Sequence, residues 1–265
     1  MSLLSLRDRS QHKAIFAGRS MIAVRVELWL ALAMFLTVVS RMTHAQGRLT
    51  AAIRSAEAQL EEGRTTLDEH TLMAARRSFE DCTREDPNNS RCYYDLGRTD
   101  SYIADVRERQ RDKKAAQQAI DAAIKNTRDS IDLKATFADA HALLAELYGK
   151  KIGYGGLFTG MRLGPKAEIE TQKALEADPN DPRVYVVIGR RQLYSPRMFG
   201  GDIEKAIESF RKATSVDPHY DEGFVWLAIA YSKKGDSIAA KAAVDEALRL
   251  NTGNVIAAEI RAAMR

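Results

Sequence analysis

Between residues 221 and 254 the chain reads DEGFVWLAIAYSKKGDSIAAKAAVDEALRLNTGN, two helical periods separated by a polar turn. Leu227, Ala228 and Tyr231 share one face of a first helix, and Ala240, Val244 and Ala247 share one face of a second. Counted from Asp221, these are positions 7, 8, 11, 20, 24 and 27 of a 34-residue frame. The pattern predicts two antiparallel helices that approach closely at the small positions 8 and 20, with larger apolar side chains filling the gaps. A small residue at position 27 leaves room for a following unit to stack. Proline near position 32 stops the second helix.

The frame recurs upstream. Residues 182–220 supply Tyr185, Ile188, Gly189, Ala206, Phe210, Ala213 and Pro218. Residues 138–181 supply His141, Leu144, Ala145, Tyr148, Ala167, Ala174 and Pro179. Residues 90–137 supply Tyr93, Leu96, Gly97, Ala123 and Ser130, with Ala135 where proline is usual, and residues 56–89 supply Gly63, Ala75, Phe79, Cys82 and Pro87. These units cover about three quarters of the chain, and VIAAEIRAAMR (255–265) reads as a capping helix. The pattern resembles the tetratricopeptide repeat family. The resemblance implies an all-α fold, a right-handed superhelix (α-solenoid) of about five helix-turn-helix repeats with a concave and a convex face.

Three units exceed 34 residues, and the surplus lies between their two helices. In 90–137 it is charged (VRERQRDKKAAQQ), which predicts two longer helices. In 138–181 it is KIGYGGLFTGMRLGPK, and in 182–220 it is YSPRMFGGD. Both of these join glycines to apolar side chains and are expected as loops projecting from one rim, carrying Tyr154, Phe158, Met198 and Phe199; Pro165 is expected to open a helix at N1. Such loops resemble those of exported bacterial tetratricopeptide proteins. The segment P-x-x-F-G-G-D-x-x-K-A, Pro196 to Ala206, also resembles the periplasmic T-component of tripartite (TRAP) transporters, although that type is a lipoprotein and no Cys follows the leader here.

That leader is Leu28 to Ser40, LWLALAMFLTVVS, 13 apolar or small positions bounded upstream by Arg25 and Glu27. As helix it would span roughly 20 Å, against roughly 30 Å for a bilayer core. Thr43 and Ala45 then place small residues before a cut ahead of Gln46. Residues 1–45 are therefore expected to be a signal peptide, with Met21 an alternative start, and 46–265 the exported solenoid. The expected compartment is the periplasm, with no stable membrane span after cleavage. An uncleaved segment anchored in the inner membrane is the alternative.

The chain's formal charge is +4, and its sequence pI is about 9.0. Residues 1–45 hold six basic and two acidic residues, so the remaining 220 carry 34 of each. The basic excess belongs to the leader and gives no reason to expect nucleic acid as a partner.

Catalytic and cofactor motifs are missing. There is no H-E-x-x-H, no G-x-S-x-G and no metal-ligand spacing among the five histidines, and Pro165 stands after Gly164 where a phosphate loop needs Lys. His141 is read as a packing residue and His219 as solvated. No enzyme activity, metal or cofactor is expected. Cys82 and Cys92 lie ten apart, at the end of one repeat and the start of the next; either two buried thiols or a disulfide suits that placement.

The family resemblance implies that positions 2, 5, 9, 12 and 13 of each first helix face the groove. Position 9 reads Arg64, Arg98, Glu146, Arg190 and Ile229, with Tyr94 at position 5 and Tyr102 and Tyr194 at position 13. Arginine forks beside tyrosines suit a carboxylate or an acidic peptide, while the alternative pairs the arginines with Asp95, Glu57 or Glu146. The asparagines of the family's carboxylate clamp are missing at positions 6 and 9. The expected function is an exported, non-catalytic scaffold for a protein or peptide; the alternative is a periplasmic accessory of a solute transporter.

Overall fold

The computed structural model describes residues 34, 35, 47 and 49–264, and its second compact unit begins at Ile53. The predicted leader falls almost wholly outside the described residues. Among those residues, no helix is long and apolar enough to cross a membrane.

The unit is all α. Five hairpins follow one another: α1 (53–66) with α2 (Glu69–Glu85), α3 (Ser90–Arg109) with α4 (Lys113–Leu133), the two arms of α5 (Ala138–Ala177), α6 (Pro182–Tyr194) with α7 (Ile203–Val216), and α8 (Asp221–Lys234) with α9 (Ser237–Leu250). The short α10 (Val255–Ala263) covers the end of the last hairpin. The charged surplus of the second hairpin is absorbed by α3 and α4, of 20 and 21 residues.

The phase of the array is set by one turn used five times. The backbone N–H of Asp86, Lys134, Asp178, Asp217 and Asn251 donates to the carbonyl of Cys82, Ser130, Ala174, Ala213 and Ala247, the position-27 residues. Three residues on, the chain enters the next helix, where the side chains of Asn89, Asp181 and Asn254 accept a backbone N–H. Such a cap satisfies a donor that the helix cannot use itself.

Close approach at position 8 fixes the spacing inside each hairpin. A Cβ at Gly97 would lie 2.5 Å from Thr127 Oγ1, and one at Gly189 would lie 2.5 Å from Phe210 Cε1. Only glycine lets α3 meet α4, and α6 meet α7, at these distances. The apolar core is divided. One cluster runs from Ala56 to Ala167, a second from Val186 to Ala257, and between them only Ala142, Ala174 and Val184 form a small bridge.

The third hairpin corrects an expectation. Residues 153–164 are not a loop: α5 continues through them and breaks only at Gly156, whose φ of 66° is a conformation that glycine tolerates. Ile152 and Tyr154 pack on the core before the break and Leu163 is buried after it, so both sides are held as helix despite their glycines. Tyr154 and Phe158 therefore stand on helical arms. Pro165 does not open a helix at N1, because residues 157–164 ahead of it are already helical. In the fourth hairpin the expected loop is present, with a 3-10 turn over Arg197–Phe199 and Gly200 at φ 87°.

Cys82 and Cys92 are joined in a disulfide that ties the end of α2 to the start of α3. His141 is buried, its Nδ1 2.5 Å from Glu170 Oε2 and its Nε2 2.9 Å from the Ala135 carbonyl, which is a packing role. His219 is exposed.

Candidate functional site

The first helix of each hairpin points one face inward. Position 2 of the frame reads Glu57, Arg91, Asp139, Arg183 and Glu222, alternating in sign along the array. Two consecutive pairs meet: Arg91 Nη2 lies 3.3 Å from Glu57 Oε1, and Arg183 Nη2 lies 2.6 Å from Asp139 Oδ1. Position 9 does the same where Arg190 Nη1 reaches Glu146 Oε1 at 2.6 Å. Stacked repeats bring equal positions side by side, so opposite charges in one column become ion pairs.

The predicted groove arginines are therefore already engaged. Arg98 donates to Glu61 at 2.8 Å and to Asp95 at 3.4 Å. Arg64 donates to Glu61 at 2.8 Å and reaches Asp221 Oδ1 of α8 at 3.3 Å. Arg190 lies 4.4 Å over the Trp226 ring as well as against Glu146. Of the two readings open in the sequence, the structure shows the pairing of Arg98 with Asp95 and of Arg190 with Glu146. Reversing these arginines would set a carboxylate against the buried Asp95 and the half-buried Glu146, so it would disturb folding together with any binding.

Where these faces converge there is a cavity of about 380 Å³. Its walls come from α1 (Glu61, Arg64), α3 (Tyr94, Arg98, Tyr102), α5 (Asp139, Ala142, Glu146), α6 (Arg183, Val186, Val187), the turn before α8 (Asp217, Tyr220) and the first turn of α8 (Glu222). It opens beside the thin bridge of the apolar core. Six carboxylates (Glu61, Asp139, Glu146, Asp181, Asp217, Glu222) and three guanidiniums (Arg64, Arg98, Arg183) line it, and Glu146 is balanced from behind the wall by Arg190 and Lys150.

Electrostatics in the wall follow from burial and pairing. Burial would raise the Glu146 carboxyl, but the Arg190 and Lys150 charges outweigh it and hold it at about 2. Asp181 goes the other way: burial raises it, and one partner, Arg183, does not offset the cost. Burial pushes the Tyr94 phenol to about 12 against the pull of Arg98 and Arg183.

The sequence-predicted residues divide. Arg64, Tyr94, Arg98 and Tyr102 line the cavity. Tyr94 is only 1% exposed, its hydroxyl accepting from Arg183 Nη1 at 2.8 Å, so it supports the wall more than it offers surface. Arg190 and Tyr194 lie outside the lining. Tyr194 is 58% exposed and packs edge-on against Trp226, with Lys233 over its ring. Phe158 and Met198 are 85% and 82% exposed, Phe199 is exposed, and Tyr154 lines a smaller cleft of about 170 Å³ against α4. No cluster of three or more metal-ligating side chains occurs among the described residues.

Sequence reasoning missed Asp139, Asp181, Arg183, Asp217 and Glu222. The signal for three of them was present, since reading position 2 as position 9 was read gives Asp139, Arg183 and Glu222. Asp181 and Asp217 belong to inter-repeat turns and look like ordinary turn residues until the array is stacked.

The tetratricopeptide repeat family model matches residues 198–220 and 222–254. Among solved structures, a thermophilic tetratricopeptide protein of Thermus thermophilus aligns over 79% of this chain and 98% of its own, at 17% identity and a TM-score of 0.58. YrrB, described as a tetratricopeptide protein with an unusual peptide-binding site, aligns over 73% of this chain and 84% of its own, at 16% identity and a TM-score of 0.39. MamA aligns over 69% and 90%, at 20% identity and a TM-score of 0.38. No curated protein matches the sequence.

Proposed function

Because this chain is a tetratricopeptide-repeat protein, folded as a right-handed solenoid and hence an interaction scaffold, we propose that it holds a peptide or protein segment in the cavity enclosed by α1, α3, α5, α6 and α8. The carrying observation is convergence. The inward faces of five consecutive first helices contribute to one concavity of about 380 Å³, which has the size and mixed polar lining of a recognition site. The reading is non-catalytic: the guanidiniums of the wall, Arg64, Arg98 and Arg183, are held by neighbouring carboxylates. Export to the periplasm belongs to the same proposal. It is supported by the apolar run Leu28 to Ser40 and by the Cys82–Cys92 disulfide, which suits an oxidising compartment.

The test is selection of a random 12-residue peptide library on the folded protein, followed by titration of the enriched peptides. Val187→Trp fills the cavity from a half-buried wall position and should weaken the selected peptides at least tenfold while far-UV helicity stays unchanged. Selected peptides that bind this folded variant as tightly as the parent would place recognition elsewhere and sink the groove reading.

A further inference from the structure

The cavity wall contains two acidic features that the packing of the repeats does not use. The first is Asp181, which is 3% exposed. Its Oδ1 caps α6 through the Arg183 backbone N–H at 3.0 Å and takes Arg183 Nε at 2.9 Å. Its Oδ2 is buried and has no hydrogen-bond partner among the described residues. A helix cap explains one oxygen of the carboxylate and leaves the other as an acceptor facing a desolvation cost. The second is Glu222. In the alternating position-2 column, Glu57 pairs with Arg91 and Asp139 with Arg183, whereas Glu222 makes no direct ion pair among the described residues and feels Arg64 and Arg190 only at longer range. Among the described residues, Glu222 accepts hydrogen bonds from neutral donors, Tyr220 Oη at 2.9 Å and Trp226 Nε1 at 3.2 Å. Asp217, also in the lining, accepts from the His219 backbone N–H and forms no ion pair among the described residues.

We infer that the segment held in the groove is basic, and that it places a lysine ammonium or arginine guanidinium at the Asp181, Asp217 and Glu222 carboxylates of the cavity wall. This rests on the groove reading above. An incoming cation would satisfy Asp181 Oδ2 and offset the Asp217 and Glu222 carboxylates, which make no ion pair among the described residues. An acidic peptide would meet these carboxylates with no free cation to set against them, because Arg64, Arg98 and Arg183 are already held.

The experiment uses the same library and the whole protein. Peptides enriched on the parent should be rich in Lys and Arg, and Asp181→Asn should weaken them at least tenfold. Asparagine is isosteric and caps helices well, so the variant keeps the α6 cap and should melt no lower than the parent. Asp236→Asn, the same change at the cap of α9, which does not line the cavity, should leave affinity unchanged. Enrichment of acidic or uncharged peptides, or full affinity in Asp181→Asn, overturns the inference. Those results leave the groove reading standing if Val187→Trp still weakens binding.

Discussion

The covalent tie between the first two hairpins offers a perturbation whose size follows from chain length. Cys82 and Cys92 close a loop with a sequence separation of 10, and both side chains are buried. In the chain-entropy treatment, a loop of that length stabilises the fold by about 2.7 kcal/mol, by restricting the unfolded chain. At about 2–4 °C per kcal/mol for a unit of this size, reduction should lower the melting temperature by about 5–11 °C. Scanning calorimetry on oxidised and fully reduced protein measures this while both sulfurs remain in place. A Cys82→Ala/Cys92→Ala variant should melt near the reduced protein, because Ala213 and Ala247 occupy the position of Cys82 in later repeats. The loss should also be local. Each hairpin packs mainly on its neighbours, so amide exchange should accelerate in α1 and α2 before α8 and α9. Two free thiols titrated in denatured, unreduced protein would refute the reasoning at its root; equal melting temperatures would refute its magnitude.

Two further outcomes follow from packing and charge. Gly189→Ala should destabilise by about 1–2 kcal/mol in urea titration, because the overlap with the buried Phe210 ring exceeds the roughly 1 kcal/mol gained in helix propensity. Gly149→Ala, with nothing within 4 Å of its Cβ on an exposed stretch of α5, should stabilise by about 0.5–1 kcal/mol. For Glu146, a folded value of about 2 against an ordinary 4.5 means stability that is fully present above pH 4.5 and is lost as pH falls toward 2, on the order of 3 kcal/mol. Glu146→Gln should therefore be less stable than the parent at pH 6, and the gap should narrow by pH 3. A gap that does not change with pH would show that the Arg190 and Lys150 charges do not act through this carboxylate.

What the sequence discloses and what it conceals have one physical origin. Positions 8 and 27 are legible because they repeat: small residues recur where helices touch, and each contact is local in sequence. The break at Gly156 was not legible, since a run of five glycines reads as loop until Leu163, Ile152 and Tyr154 are seen anchoring both arms. Inward-facing columns could be read as columns. Their partners could not be taken from one helix at a time, because Arg98 meets a residue 37 positions away and Arg190 one 44 positions away. The contact of Arg64 with Asp221, 157 residues apart, depends on the curvature of the whole array and has no signal in any single repeat.

The charge of the groove shows why that distinction matters for recognition. Counted residue by residue, position 9 offers three arginines and suggests an anion receptor. Counted pair by pair, those arginines are consumed by Glu61, Asp95 and Glu146, and what remains unspent is acidic. A ligand responds to the second count, because a guanidinium held between carboxylates must lose existing bonds before it gains new ones. The unspent groups gather where the repeating pattern fails: at the odd member of an alternating column, Glu222, and at the free oxygen of a helix cap, Asp181. In a repeat protein, packing accounts for what recurs, so the polar groups left over by the repeat are where a partner has something to bind.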